Sequence, residues 1–369
     1  MRHWLPSLSV LFAGLLAAPS SFPMPEFRLP DGFVVEELVT GVPGARSMTL
    51  GDAGTLFVST RRAGDVYAVR NALSGGPTVV TIAEDLRMPN GIAFRDGDLY
   101  VATTSQLLRF DGIEERLDAP GQPEVVDAAL PVEGKLHAWK YIAFGPDDKL
   151  YISLGAPCNV CDKPELAAML RMNADGSERE IYAYGIRNSV GFAWHPETDE
   201  LWFSDNGRDM MGDDVPPCEL NRIAAPGQHF GFPFCHGANI RDPEFGDLGR
   251  CEDAVAPAQE LAPHSAPLGI SFYTGKMFPD DFVNNVFIAE HGSWNRSKAA
   301  GKTGYRVTLV RLEDGEAVGY EPFMDGFLTE SDQPLGRPVD VLVAPDGALL
   351  VSDDLRGVIY RISYESGGQ

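Results

Sequence analysis

The feature that most restricts how this 369-residue chain can fold is a unit that recurs six times. Each copy has a turn of Gly, Pro, Asp or Asn, a short apolar strand, a polar turn, and a second strand often ending in Arg. The copies are "GDAGTLFVST…GDVYAVR", "RDGDLYVAT…QLLRF", "GPDDKLYISLG…AMLRM", "HPETDELWFSDNG…CELNRI", "FVNNVFIAEHG…YRVTLVRL" and "APDGALLVSDD…GVIYRI". Their anchors are Leu56, Leu99, Leu150, Leu201, Val286 and Leu349. The first interval is 43 residues, and the intervals of 85 and 63 later in the chain indicate insertions. A four-stranded propeller blade occupies roughly 40 to 50 residues. An apolar strand also precedes each turn, as in "MPNGIAF", "WKYIAFG", "SVGFAWH" and "PVDVLVA". Short strands with period-2 alternation, punctuated by Gly and Asp, predict an all-β fold: a six-bladed β-propeller of four-stranded antiparallel blades. Convincing helical periodicity is nearly absent.

The segment "GFVVEELVTG" (32 to 41) precedes the first complete unit and is expected to pair into the last blade, closing the ring and covering a sheet edge. Residues 23 to 369 are therefore read as one propeller domain. The insertion 208 to 265, rich in Pro and Gly, reads as long surface loops stapled by a disulfide; loops of that length in a compact domain usually serve function.

Residues 1 to 22 combine Arg2 and His3, the apolar run "WLPSLSVLFAGLLAAP" and small residues, the layout of a cleaved export signal. No other segment approaches ~18 unbroken apolar residues, so no stable membrane insertion is expected after cleavage, and the mature protein is expected to be periplasmic or secreted. A formal charge of −23 repels phosphate backbones and argues against nucleic-acid partners. Any basic cluster within such a chain therefore requires a reason. In an oxidising compartment Cys158, Cys161, Cys218, Cys235 and Cys251 are better read as disulfides than as metal ligands, with Cys218 left over and the pairing open.

Polar residues stand just ahead of the first strand of several blades: Pro89-Asn90, His137, Arg187-Asn188 and Arg337. Loops joining an outer strand to the next inner strand line one mouth of a propeller channel, so these residues can converge although far apart in sequence. Asp205-Asn206-Gly207 close the strand that follows Arg187.

At these positions the chain resembles the pyrroloquinoline quinone (PQQ) dependent glucose/sorbosone dehydrogenases, a family of soluble six-bladed propellers. The words that carry the resemblance are "YGIRNSVGFAWHP", "SDNGRDMMGDDVPPCELNRI", "GQHFGFPFCHG" and "LHAWKYIAFGPDDKLYISLG", in family order, within a likeness that spans about residues 30 to 365. The resemblance implies His137 as catalytic base and Arg187 as a contact to both cofactor and substrate, with Asn188, Asn206 and Arg337 also on the cofactor. It implies that the backbone carbonyls of Gly207 and Arg208 hold a cofactor-bound Ca²⁺. Two departures stand out: the family's R-x-R-D reads Arg337-Pro338-Val339-Asp340 here, so the second arginine is missing, and Arg208 stands where Pro is usual. The family's cofactor lysine has no clear match, with Arg296 and Lys298 as weak substitutes.

These residue types suit that chemistry. PQQ is a tricarboxylate, and the guanidinium fork matches carboxylates in a bidentate way. Ca²⁺ prefers six to eight oxygen ligands and can act as a Lewis acid; Asp205, Asp209, Asp213, Asp214 and Glu219 could shape its shell or bind a second ion. A neutral His can take the hydroxyl proton of a sugar as hydride leaves carbon. The expected function is an exported, PQQ- and Ca-dependent oxidation of an aldose or sorbosone-type sugar, with the electron acceptor unknown. The alternatives are a metal-dependent six-bladed lactonase or esterase, suggested by "MPNGIAF", and a non-catalytic ligand-binding propeller. Blander roles also exist for the same residues: Arg187-Asn188 as a pair satisfying buried carbonyls, and His137 as a packed loop residue beside Trp139.

Overall fold

In the computed structural model, which describes residues 25–365, six four-stranded antiparallel sheets stand around a common axis. The export segment expected at 1 to 22 lies outside the described residues. Five blades take their strands in sequence order, beginning at Met48–Leu50, Gly91–Arg95, Ile142–Phe144, Phe192–Trp194 and Pro267–Phe272, the fourth with an insertion ahead of its last strand. The sixth combines Pro338–Val343, Leu349–Asp353 and Val358–Tyr364 with Phe33–Thr40, whose register runs from Phe33 opposite Tyr364 to Thr40 opposite Val358. The ring thus closes as the sequence predicts. The only helices among the described residues are four single 3₁₀ turns.

First strands of neighbouring blades touch, as between Met48–Leu50 and Gly91–Arg95, or Pro267–Phe272 and Pro338–Val343. The second strands are buried along their whole length: Leu56–Ser59, Leu150–Leu154, Leu201–Asp205, Val286–Glu290 and Leu349–Asp353 expose no residue. They are sandwiched between adjacent blades, which explains near-continuous apolar runs such as "LFV" and "VFIA" where alternation was anticipated. Outer strands such as Glu124–Asp127 face solvent and carry the charges.

The core is therefore not central but lies between blades. One apolar cluster joins Val39, Leu350 and Ile359 of the sixth blade to Leu56, Val58 and Val69 of the first, and analogous clusters fill the other five junctions. Burying a Leu, Val or Phe side chain contributes about 1.5–3 kcal/mol, so each junction is a substantial adhesive surface. The axis is left for polar chemistry.

The long insertion lies in the fourth blade, between Cys218–Ile223 and Gln259–Leu261. It contains a small hairpin, Cys235–His236 with Ile240–Arg241, and the Cys235–Cys251 disulfide. Cys158 pairs with Cys161, leaving Cys218 as a buried thiol that burial pushes up to about 11.

Candidate active site

A cavity of about 400 Å³ opens at one end of the axis, where loops that precede first strands meet loops that follow second strands. His137, Arg187, Asn188, Asn206, Gly207 and Arg337 all line it. These come from the junctions ahead of the third, fourth and sixth blades and from the tail of Leu201–Asp205. These six of the positions singled out from sequence are thus brought together on one rim, whereas Asn90 and Arg208 are not among the lining residues.

The fold places the two cationic loops with the same device. In the fourth and sixth blades the second strand ends in a buried aspartate that accepts backbone N–H groups from the loop ahead of the first strand. Asp205 takes those of Arg187 at 2.8 Å and Asn188 at 2.6 Å. Asp353 takes those of Arg337 at 3.0 Å, Leu355 at 2.9 Å and Arg356 at 3.1 Å. Burial pushes both carboxyls up to about 6 against these hydrogen bonds. The sequence signature is the shared Ser-Asp in "WFSDNG" and "LVSDDL".

His137 is buried and adopts φ +50°, a region that costs a non-glycine residue about 1–3 kcal/mol. Its Nδ1 lies 2.8 Å from the carbonyl oxygen of Ala156. A carbonyl can only accept, so Nδ1 carries the proton and Nε2 keeps its lone pair. Burial, reinforced by the Arg187 guanidinium, pushes the imidazole down to about 3, so it is neutral at physiological pH. Gly155 makes the placement possible: a Cβ there would lie 2.4 Å from the His137 Cβ and 2.7 Å from its carbonyl oxygen.

Arg187 is less available than the sequence suggests. Its Nε donates to Asn159 O at 2.9 Å, one amino group to Asn206 O at 3.1 Å, and the other to Asn159 Oδ1 at 2.9 Å and Asp209 Oδ2 at 3.2 Å. Of five N–H donors, four are taken by the protein and one remains. The carbonyl-satisfying role is therefore real, and a free bidentate fork at 187 is not present. Asn206 also serves the scaffold, its amide donating to Asn188 O and Pro267 O, both at 3.0 Å.

The cationic capacity resides largely in arginines that sequence reasoning passed over. Arg46, Arg61 and Arg62 line the cavity beside Arg337. Arg46 is buried, bonded to Asn90 Oδ1 and paired with Asp354 at 2.9 Å; Asp354 in turn lies 3.0 Å from His291 Nε2. Arg61 stacks over Trp139 at 4.5 Å, and burial with the neighbouring Arg46 charge pushes it down to about 9. Arg337 has a buried Nε without a hydrogen-bond partner and lies over the Tyr305 ring at 5.8 Å. The signal for Arg46 was present: it precedes "SMTL", the first strand of its blade, as Arg337 precedes "PVDVLV".

Several expectations change. Asn90 does not reach the cavity; it braces Arg46 and donates to Lys140 O at 2.8 Å. Arg296, a suggested lysine substitute, is spent on Gly301 O at 2.8 Å and Asp213 O at 2.7 Å. The Arg208 side chain turns into the insertion, where it pairs with Asp242 and Glu244. Asp209 is held by Arg187 and Asn295, and Asp213 accepts from Ser297, so their oxygens already have protein partners. Buried Glu219 accepts the Gly237 N–H at 2.7 Å, and burial with the Asp205 charge pushes its carboxyl up. Among the described residues no group of three or more His, Cys, Asp or Glu is arranged to hold a metal. Trp294, His264 and His291 line the mouth, and Trp294 is 69% exposed.

A family model described as TrAA12-like matches residues 27–365. The chain belongs to the TrAA12-like family. An uncharacterized protein of Borreliella burgdorferi is 34% identical to this TrAA12-like chain over 352 residues, covering 92% of it and 91% of the relative. The aldose sugar dehydrogenase YliI of Escherichia coli is 26% identical over 195 residues, 51% of this chain and 45% of that one. Among solved structures, the holo PQQ domain of pyranose dehydrogenase from Coprinopsis cinerea superposes with a TM-score of 0.73 at 18% identity, over 93% of this chain and 98% of that one. The PQQ-bound aldose sugar dehydrogenase of Streptomyces coelicolor gives 0.65 at 22%, over 92% and 100%. The resemblance to PQQ-dependent sugar dehydrogenases read from four short motifs is thereby borne out in family and fold.

Proposed function

We propose that this protein is an exported quinoprotein that oxidises a small sugar, an aldose or sorbosone-type substrate, at the arginine-lined cavity. The observation that carries the reading is electrostatic. In a chain of formal charge −23, Arg46, Arg61, Arg62, Arg187 and Arg337 share one 400 Å³ cavity with a neutral, buried histidine. Such clustering of like charge calls for an anionic occupant, and a tricarboxylate fits it. The orphan Nε of Arg337 is the donor best suited to a carboxylate. With Arg46 and Arg61, it would replace the missing second arginine and the missing lysine of the related pattern. The backbone around Gly207, on the cavity wall, would hold Ca²⁺ through carbonyl oxygens, completed by the cofactor's own.

When bound, PQQ with its Ca²⁺ would supply the two-electron oxidant that no side chain provides. His137 Nε2 receives the proton of the sugar hydroxyl, and Ala156 O fixes the tautomer that leaves Nε2 free. Arg187 lowers the affinity of His137 for a proton before reaction and presents its one remaining N–H to the site. Trp294, exposed at the mouth, offers a ring face on which a sugar can rest. Disulfides and the residue 1–22 pattern support export, and no helix among the described residues is long and apolar enough to cross a membrane. Residues 23–369 would form the single mature domain. The lactonase reading loses support because Asn90 is committed to Arg46 and Lys140.

The test is reconstitution. Purified apoprotein given PQQ and Ca²⁺ should reduce a redox dye in an aldose-dependent manner, and His137→Ala should lower kcat by about 10² to 10⁴ while binding PQQ within a few-fold of the parent. Absence of aldose-dependent reduction, together with ester or lactone turnover in the absence of PQQ, would sink the proposal.

A further inference from the structure

The segment Gly155–Cys161 touches both His137 and Arg187. Gly155 packs on His137, and Ala156 joins base and cation: its carbonyl accepts from His137 Nδ1 at 2.8 Å and its N–H donates to Arg187 O at 2.8 Å. Cys158 and Cys161 then close a disulfide across a separation of three residues, and the residue they present is Asn159. Asn159 accepts from Arg187 twice, at its carbonyl oxygen and at Oδ1, both 2.9 Å. Its side chain also grips the Asp209 backbone, with Oδ1 accepting the N–H at 2.9 Å and Nδ2 donating to the carbonyl at 3.0 Å. Cys158 and Val160 pack against Phe232 of the insertion, which backs the loop.

We propose that Asn159, presented by the Cys158–Cys161 loop, is a positioning residue that sets the direction in which Arg187 offers its charge to the cavity. The inference rests on the PQQ site proposed above. Arg187 is within reach of Asp209, an ion pair that by itself would draw the guanidinium toward the carboxylate and away from a bound anion. That pair is made, at 3.2 Å, and Asn159 constrains it: by occupying Nε and one amino hydrogen it fixes the plane of the guanidinium, while its two bonds to the Asp209 backbone hold the carboxylate in register. The single free N–H then has a defined direction. Both oxygens of Asn159 face one guanidinium, and the Cys158–Cys161 disulfide is the covalent tie across the loop that presents them.

The experiment measures equilibrium binding of PQQ to apoprotein by tryptophan fluorescence quenching, with the melting temperature of each apoprotein recorded alongside. Asn159→Ala should weaken PQQ binding about 10-fold or more, the loss expected when a hydrogen bond to a charged group is removed, with little change in melting temperature. In an Arg187→Ala background the same substitution should change binding by less than about 2-fold, because its effect travels through Arg187. The paired change Cys158→Ser with Cys161→Ser should reproduce the loss, and adding Asn159→Ala to it should contribute little. If Asn159→Ala does not fold, the paired serine variant decides by the same comparison with and without Arg187. Unchanged PQQ affinity in the folded variants, or an equal loss whether or not Arg187 is present, overturns the inference alone. A parent protein that takes up no PQQ overturns both it and the reading on which it rests.

Discussion

His137 has a strained backbone, a desolvated imidazole and a single hydrogen bond that leaves its outer nitrogen open. The cost should be visible in stability. Its folded pKa, about 3, lies below the ordinary value of 6.5, so between those limits the unfolded chain binds more protons than the folded one. Stability contributed by a neutral His137 is therefore complete above pH 6.5 and declines as pH falls toward 3. Relative to His137→Asn, which cannot titrate, the parent should lose about 3 kcal/mol between pH 7 and pH 4, as read from urea melts at each pH. No such difference in slope would mean that the ring is solvated. Gly155 gives a second residue-level expectation: Gly155→Ala places a methyl 2.4 Å from the His137 Cβ, so turnover should fall at least ~10-fold while the blade, whose strands do not include residue 155, stays folded by circular dichroism. Of these residues the place of His137 on the rim was legible from its position ahead of "WKYIAFG". Gly155 was not, because nothing in "SLGAPC" announces which side chain will lie against it.

Elements position what residues perform. The buried aspartate at the end of a second strand anchors the loop that carries Arg187 or Arg337, so cations on separate blades are held from the same level of the ring. The insertion performs the analogous task from outside: Phe232 supports the Cys158–Cys161 loop, and Arg208 ties the tail of Leu201–Asp205 to Asp242, which His236 also contacts at 2.8 Å. This insertion has little apolar core of its own and depends on the Cys235–Cys251 closure over a separation of 16 residues. Replacing both cysteines by serine should lower unfolding free energy by about 2–3 kcal/mol in denaturant titrations under oxidising conditions, the range expected for a loop of that size. An unchanged midpoint would show that packing alone holds the insertion. Its extent was readable from the stretched repeat interval, whereas the destination of the Arg208 side chain was not: nothing beside Gly207 announces the partner carboxylates at 242 and 244.

At the scale of the whole molecule, closure is the controlling feature. Phe33 packs edge-on against Phe278, Phe282, Phe323 and Tyr364, with ring centroids 4.7 to 5.1 Å apart, so the N-terminal strand locks the last blade to the one before it. A chain beginning at residue 41 would leave Val358–Tyr364 as an uncovered, largely apolar edge. It should self-associate, which light scattering at micromolar concentration would detect; a monomer with the parent's melting temperature would contradict the closure argument. The sequence by itself determined the number of blades, the closing strand and the rim to which His137, Arg187 and Arg337 belong, because repeat spacing and turn chemistry are local properties that survive projection onto one dimension. Only the tertiary structure decided which guanidinium is spent and which is free. Arg187 has four of its five N–H donors taken by Asn159, Asn206 and Asp209, while Arg337 keeps an orphan donor and Arg46 and Arg61 join it from another blade. The availability of a charged side chain depends on partners brought within 3 Å by the closing of the ring, and sequence separation carries no record of them.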